Sequence, residues 1–244
     1  MKAGAPESWV LFQDDELLII NKPAGLPTLP DGYDAAADHV RSLLEPVFGP
    51  LWIVHRLDRH TSGVLVLARS AAAHRALNTQ FAERTVAKRY HAIVVGQPTW
   101  ESYEAHWPLR ADGDRRHRTV VDARQGKAAH TSLTRLETFA RDGARWALVA
   151  AQPHTGRTHQ VRAHLAAAGL PILADTLYGG GESLTSLPTR RSRQEEEPRL
   201  LLARPALHAA TILISHPTSG EPLAVDAPYP SDFAAALRYL RRGR

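Results

Sequence analysis

The run Gly63-Val64-Leu65-Val66-Leu67-Ala68 constrains this chain more than any other stretch. Six consecutive residues without a polar side chain, bounded by Thr61-Ser62 and Arg69-Ser70, are too short for a stable helix and leave no face for water. They read as a strand covered on both sides. Such a strand needs elements packed above and below it, and 244 residues can bury one substantial core or form a large domain with two lobes. The loop that feeds this strand, VHRLDRHTSG, holds one carboxylate, Asp58, between Arg56 and Arg59. Taken alone, that is an ordinary solvated ion cluster worth little.

The rest of the chain supplies the layers. Trp9 to Phe12 and Leu17 to Ile20, split by Asp14-Asp15, predict a hairpin. KPAGLPTLPDG follows as a loop stiffened by three prolines, and Val40, Leu43 and Leu44 recur at helical spacing. Ser70 is a good N-cap for a helix with the apolar stripe Ala73, Leu77 and Phe81. KRYHAIVVG alternates as a strand, residues 128 to 152 contain two more that pair antiparallel, and ALHAATILISH is a closing strand before the amphipathic terminal helix DFAAALRYLRR. In QVRAHLAAAGLP, Val161, Leu165 and Ala168 share a helical face, Gly169 sits at the C-terminal stop, and His159 and Arg162 take the opposite face. Residues 181 to 199 lack apolar periodicity and read as a mobile loop.

Composition removes several functions. With no cysteine there is neither a disulfide nor a thiolate nucleophile or thiolate metal site. Thirteen histidines invite a metal reading, but His154, His159 and His164 are spaced by five, which turns each about 140° from the last on a helix, and no HExxH is present. No metal site is expected, and GxSxG and GxxxxGK[ST] are also missing. The N-terminus lacks a signal-peptide stretch and no apolar run is long enough to span a bilayer, so a cytoplasmic protein without membrane partners is expected. A net charge of +5, with basic residues concentrated in 110 to 127, 189 to 193 and the C-terminal tail, points to a polyanionic partner.

Asp58 suits a nucleophilic carboxylate that needs no base, only neighbouring arginines to keep it ionised. Tyr90 offers a stacking face and a hydroxyl, and Arg157 and His159 crowd a helix N-terminus whose partial positive charge calls for an anion, either a substrate phosphate or an internal Asp such as Asp58.

The segments NKPAGLP, HRLDRHTSGVLVLA, KRYHAIVVG, HTGRTHQVRAHLAAAGLPIL and ALHAATILISHP, which together span most of residues 16 to 225, resemble the RluA-type RNA pseudouridine synthases. The resemblance implies an α+β pseudouridine synthase fold: a mixed, largely antiparallel sheet bent across two lobes, flanking helices and a central cleft, with no cofactor and no metal. It makes Asp58 the nucleophile, Tyr90 the residue that stacks on the target uracil near C5, Arg162 the partner of Asp58, and Arg56 the side chain that displaces or replaces the flipped base. Arg59, Thr61, Arg157 and His159 are expected at the RNA, as are Arg115, Arg116 and Arg118 of a loop with six basic against three acidic residues. No N-terminal S4 domain is expected, since strand pattern begins at Trp9. The partner is RNA, a ribosomal or transfer RNA stem-loop, not DNA, and the chain is expected to work as a monomer.

The chemistry fits those residues. Converting uridine to pseudouridine breaks the N1 glycosidic bond, turns the uracil and rejoins it through C5, so the detached base must be held in a closed pocket. The carboxylate has three routes open to it: attack on C6, attack on C1′, or assistance to elimination. The chain departs from the family pattern at Ala174, where Gly is usual, at Pro205 and in the long 181 to 199 loop. Two rival readings are a catalytically silent RNA-binding protein on the same scaffold and a metal hydrolase using the histidines.

Overall fold

The computed structural model describes residues 5–30, 37–141, 143–186 and 198–242. In chain order the elements are β1 (Val10–Gln13), β2 (Leu17–Lys22), α1 (Val40–Phe48), β3 (Trp52–Ile53), β4 (Ser62–Ala68), α2 (Ala71–Glu83), β5 (Ala87–Val95), β6 (Ser102–Ala105), β7 (Leu109–Arg110), β8 (Val120–Val121), β9 (Thr131–Arg141), β10 (Ala144–Pro153), α3 (Gln160–Ala167), β11 (Leu184–Thr185), β12 (Leu200–Leu202), β13 (Leu207–Ser215), β14 (Pro222–Asp226) and α4 (Ser231–Arg241). They fall into two units, Met1–Tyr90 with His208–Pro228, and His91–Leu207 with Tyr229–Arg244. No helix among the described residues is long and apolar enough to cross a membrane.

In the first unit β4 is the apolar run, and all seven of its residues are buried. One edge pairs antiparallel with β2, from Leu17↔Ala68 to Lys22↔Gly63. The other edge is shared: β13 runs parallel to it at Ser62 and Gly63, and β3 runs antiparallel at Leu67 and Ala68. The alternation of side chains then sorts the two faces. Val64 and Val66 pack with Ala73 and Leu77 of α2, whereas Leu65 and Leu67 pack with Val40 and Leu44 of α1, and Leu57 and Tyr90 join that second cluster. Burying each such leucine contributes about 2–3 kcal/mol. Ser70 caps α2 as expected, its Oγ accepting the Ala73 amide at 3.0 Å. Gly63 has no substitute: its φ is 117°, and a Cβ there would lie 2.1 Å from the Ala209 carbonyl oxygen of β13.

In the second unit the strand order is β5-β10-β9-β6, antiparallel where β9 pairs with β10 and with β6. The helix α3 stops where the sequence predicts, by a Schellman closure: the Gly169 amide donates to Ala166 and the Leu170 amide to Leu165, with Gly169 at φ 74°. Its expected polar face is corrected. Every residue from Gln160 to Leu165 is buried, because polar groups of neighbouring segments take up its Gln, Arg and His side chains. Within the stretch expected as a mobile loop at 181 to 199, Leu184 is buried and pairs with the buried Leu202 across the two-stranded β11–β12 ladder; residues 187–197 lie outside the described residues. The basic stretch 110 to 127 contains the short hairpin β7–β8, tied by an Arg110–Asp122 ion pair of 2.7 Å.

Candidate active site

Asp58 lies on the loop between β3 and β4, and the backbone on each side of it is anchored separately. On the N-terminal side, Thr28 Oγ1 donates to the Leu57 carbonyl at 3.0 Å and accepts the Leu57 amide at 3.2 Å. On the C-terminal side, the Arg59 carbonyl accepts the Gly25 amide at 2.8 Å and Lys22 Nζ at 3.3 Å, and Arg59 Nε donates back to the Gly25 carbonyl. The Thr61 amide donates to the Asp58 carbonyl and closes the turn. The proline-rich loop after β2 is thus the mould of the Asp58 loop. Lys22, fully buried, sends the same ammonium to the Pro23 and Leu26 carbonyls at 2.8 Å each, which shapes that mould from inside.

Downstream, Ser62 Oγ donates to His208 Nδ1 at 3.0 Å, while His208 Nε2 donates to the Ala227 carbonyl, an assignment that follows from the carbonyl being acceptor only. Both side chains are buried. This pair pins the start of β4 to β13. Upstream, His55 Nε2 accepts the Val66 amide at 3.0 Å and its ring stacks on Phe81. Burial, and then the positive charge of Lys88, push the His55 pKa down from 6.5 to about 3. Unfolding restores an ordinary imidazole, which binds a proton the folded chain refuses. Stability should therefore be full above pH 6.5 and fall as pH drops from 6.5 toward 3, by up to ~1.4 kcal/mol per pH unit from this group. Urea midpoints measured across that range should show the decline, and His55→Gln should make it shallower; an equal slope in the variant would remove His55 as its source.

Tyr90, on β5, packs partly buried against the cluster that contains Leu57. Burial and then the negative charge of Asp58 raise its phenol pKa well above the ordinary value. The two groups are thus within electrostatic reach, and Tyr90 is a hydrogen-bond donor with an aromatic face at any physiological pH. Arg56 and Arg59 are exposed on the same loop, whereas Thr61, expected at the RNA, is buried at 3% and contributes by shaping the turn.

In the second unit Arg162 of α3 forms a two-pronged pair with Asp175, Nε to Oδ2 at 2.7 Å and Nη2 to Oδ1 at 2.9 Å, over the ring of Tyr178. Asp175 is buried at 1% and was not singled out by sequence reading, although its carboxylate is the internal anion that the basic helix start required. The signal was the ADTLYGGG segment, noted for Ala174 and not for the Asp beside it. His159 occupies the N-cap at φ 51° with Nδ1 3.2 Å from the Tyr178 hydroxyl, and Arg157 Nε donates to the Ala128 carbonyl. Gln160, also missed, accepts from the Arg157 amide and the Thr155 hydroxyl and donates to the His130 carbonyl and Thr131. His164 is buried between Thr131 and the Trp107 carbonyl, so His154, His159 and His164 are not gathered around a common point.

Of the basic-loop arginines, Arg118 is paired with Asp114 at 2.6 Å, Arg116 donates to the Thr176 carbonyl, and Arg115 is exposed. Ala174, where the resemblance leads one to expect Gly, sits at φ 59°, a left-handed conformation that burdens any residue with a Cβ. Ala174→Gly should therefore raise stability by about 0.5–1 kcal/mol, the strain relieved outweighing the entropy added to the unfolded chain. A lower denaturation midpoint in the variant would refute that account.

Residues 16–167 match the family described as RNA pseudouridylate synthase. The dual-specificity RNA pseudouridine synthase RluA of Escherichia coli (strain K12) is 37% identical over 224 residues, 91% of this chain and 94% of that one. The ribosomal large subunit pseudouridine synthase D of Zymomonas mobilis is 33% identical over 95% of this chain and 72% of its own. Among solved structures, human RNA pseudouridylate synthase domain containing 4 superposes with a TM-score of 0.70 at 28% identity, covering 97% of this chain and 94% of its own. The fold is that of the pseudouridine synthases, an α+β fold with a mixed sheet. The chain belongs to the RluA-type RNA pseudouridine synthases, isomerases that act on RNA.

Proposed function

We propose that this enzyme isomerises uridines in a ribosomal or transfer RNA stem-loop, with Asp58 as nucleophile, Tyr90 under the flipped base and Arg162, held by Asp175, as the third catalytic residue. The observation that carries the reading is the double anchoring of the Asp58 backbone by Thr28, Gly25 and Lys22, together with the electrostatic coupling of Asp58 to Tyr90. A carboxylate held this way is positioned before substrate arrives, which is where most of the advantage of a preorganised nucleophile lies. Tyr90, protonated throughout the working range, stacks on the uracil and donates a hydrogen bond while the base is detached. Arg56 and Arg59 line the approach to Asp58, with Arg157 and His159 further contacts for the RNA backbone. The names of the relatives, one dual-specific and one for the ribosomal large subunit, support the choice of RNA class. Residues 1 to 244 act as one catalytic domain, as a monomer in the cytoplasm, without metal in the reaction.

RNA carrying 5-tritiated uridine tests the reading, because joining C5 to C1′ releases the C5 hydrogen to water. Tritium release that persists in chelator supports it; binding without release identifies a silent binder, and hydrolysis of a substrate that chelator abolishes, with no tritium released, identifies a metal hydrolase. Mapping pseudouridines in cellular RNA with and without the protein would name the substrate. Because Arg118 is committed to Asp114, replacing Arg115 and Arg116 with Gln should flatten the slope of log affinity against log salt by about 1.4, near 0.7 per phosphate contact. An unchanged slope would place the RNA elsewhere.

A further inference from the structure

Three strands of the second unit end with metal-binding side chains on one face. Glu104 on β6 lies opposite Ser132 on β9, and Ser132 lies opposite Gln152 on β10. His130, two residues before Ser132, and His154, two residues after Gln152, therefore share the face of Glu104, since side chains repeat every second residue. The His154 amide donates to the His130 carbonyl at 3.0 Å and extends the ladder to both histidines. The Gln160 amide group holds the His130 carbonyl from the other side.

The side chains converge. His130 Nε2 donates to Glu104 Oε2 at 2.5 Å, Ser132 Oγ donates to the same oxygen at 2.8 Å, and His154 Nε2 is 2.7 Å from Ser132 Oγ. The rings of His106, His130 and His154 form a stack, with centroids 4.0 and 4.2 Å apart. One ligand atom from each of Glu104, His130 and His154 lies within 4.8 Å of the others. A tetrahedral ion with bonds of about 2.0–2.1 Å sets its ligand atoms about 3.3 Å apart, so these atoms need close by no more than about 1.5 Å.

We propose that Glu104, His130 and His154 bind a divalent ion of the zinc class. Two imidazole nitrogens and one carboxylate oxygen suit Zn2+ and Co2+ and not Mg2+ or Ca2+, which demand oxygen. Three protein ligands leave one position for water. The ion takes the place of the hydrogen bond now made between His130 Nε2 and Glu104 Oε2. It joins β6 to β9 and β10 and stabilises their ends, and it has no part in the isomerisation proposed above.

The test uses the whole chain, stripped with chelator and titrated with ZnCl2. The expected result is one Zn2+ per chain at micromolar or tighter affinity, a melting temperature raised by about 5–10 °C at a hundredfold excess over Kd, and no response to MgCl2. Glu104→Gln and His154→Ala, checked for fold by far-UV circular dichroism, should each weaken binding at least tenfold. Co2+ on the unaltered chain should give the visible band of a tetrahedral ion and lose it to Zn2+, a readout that does not depend on the variants folding. No binding below roughly 100 μM, no such band, or the same affinity in both variants would overturn the proposal, the last outcome tracing the ion to other histidines.

Discussion

The Asp58→Asn enzyme should fold, bind RNA and release no tritium from 5-tritiated uridine. Asn has almost the volume of Asp but a neutral, weakly nucleophilic oxygen, so turnover should fall by at least about 10³-fold. The fold should survive because the loop is held through backbone groups: Leu57 by Thr28, and Arg59 by Gly25 and Lys22. None of those contacts uses the Asp58 carboxylate. Denaturation midpoint, RNA affinity and single-turnover isomerisation measured on one preparation separate the three properties. Turnover near that of the unaltered enzyme would remove Asp58 from the chemistry.

Asp175→Ala should be the most damaging substitution for stability. It takes two charge-assisted hydrogen bonds from Arg162, a residue only 9% exposed in the stretch of α3 buried from Gln160 to Leu165. Removing one partner of a buried ion pair costs about 3–5 kcal/mol, because the remaining charge stays where water cannot reach it. Asp175→Asn keeps the shape and should cost less. Arg162→Lys keeps the charge and loses the planar fork, so it should lower turnover far more than it lowers stability. Chemical denaturation checks the first expectation, and a cost under 1 kcal/mol for Asp175→Ala would show that Arg162 is held by other groups.

Periodicity carried the sequence reading wherever a residue's environment is set by its neighbours in the chain. The buried run at β4, the Ser70 cap and the Gly169 stop are all written within a few residues. So was the placement of Asp58 in the loop that enters β4. What escaped is long-range or conformational. Nothing local tells that Lys22 will be fully buried with three carbonyls, that Thr28 will clasp Leu57, or that Ser62 will meet His208. The even burial of α3 escaped for the same reason: Arg162 and His164 look like a solvent face until Asp175, Thr131 and the Trp107 carbonyl are brought to them. Ala174 reads as a mild substitution in letters and as a strained one in φ. The histidines mislead by their spacing in sequence, since strand register, not helical pitch, groups His130 and His154 with Glu104.

The pairing of Ser62 with His208 spans 146 residues, and the whole segment from His91 to Leu207 is made between them. During synthesis at about 5–20 residues per second, the nascent chain carries Asp58 for roughly 7–30 s before the strand that immobilises the start of β4 has left the ribosome. For that interval β4, its most apolar strand, has no β13 along the edge at Gly63. A cell making this enzyme therefore meets its aggregation hazard early, in a half-built first unit, and the start of β4 is pinned only once His208 has been made.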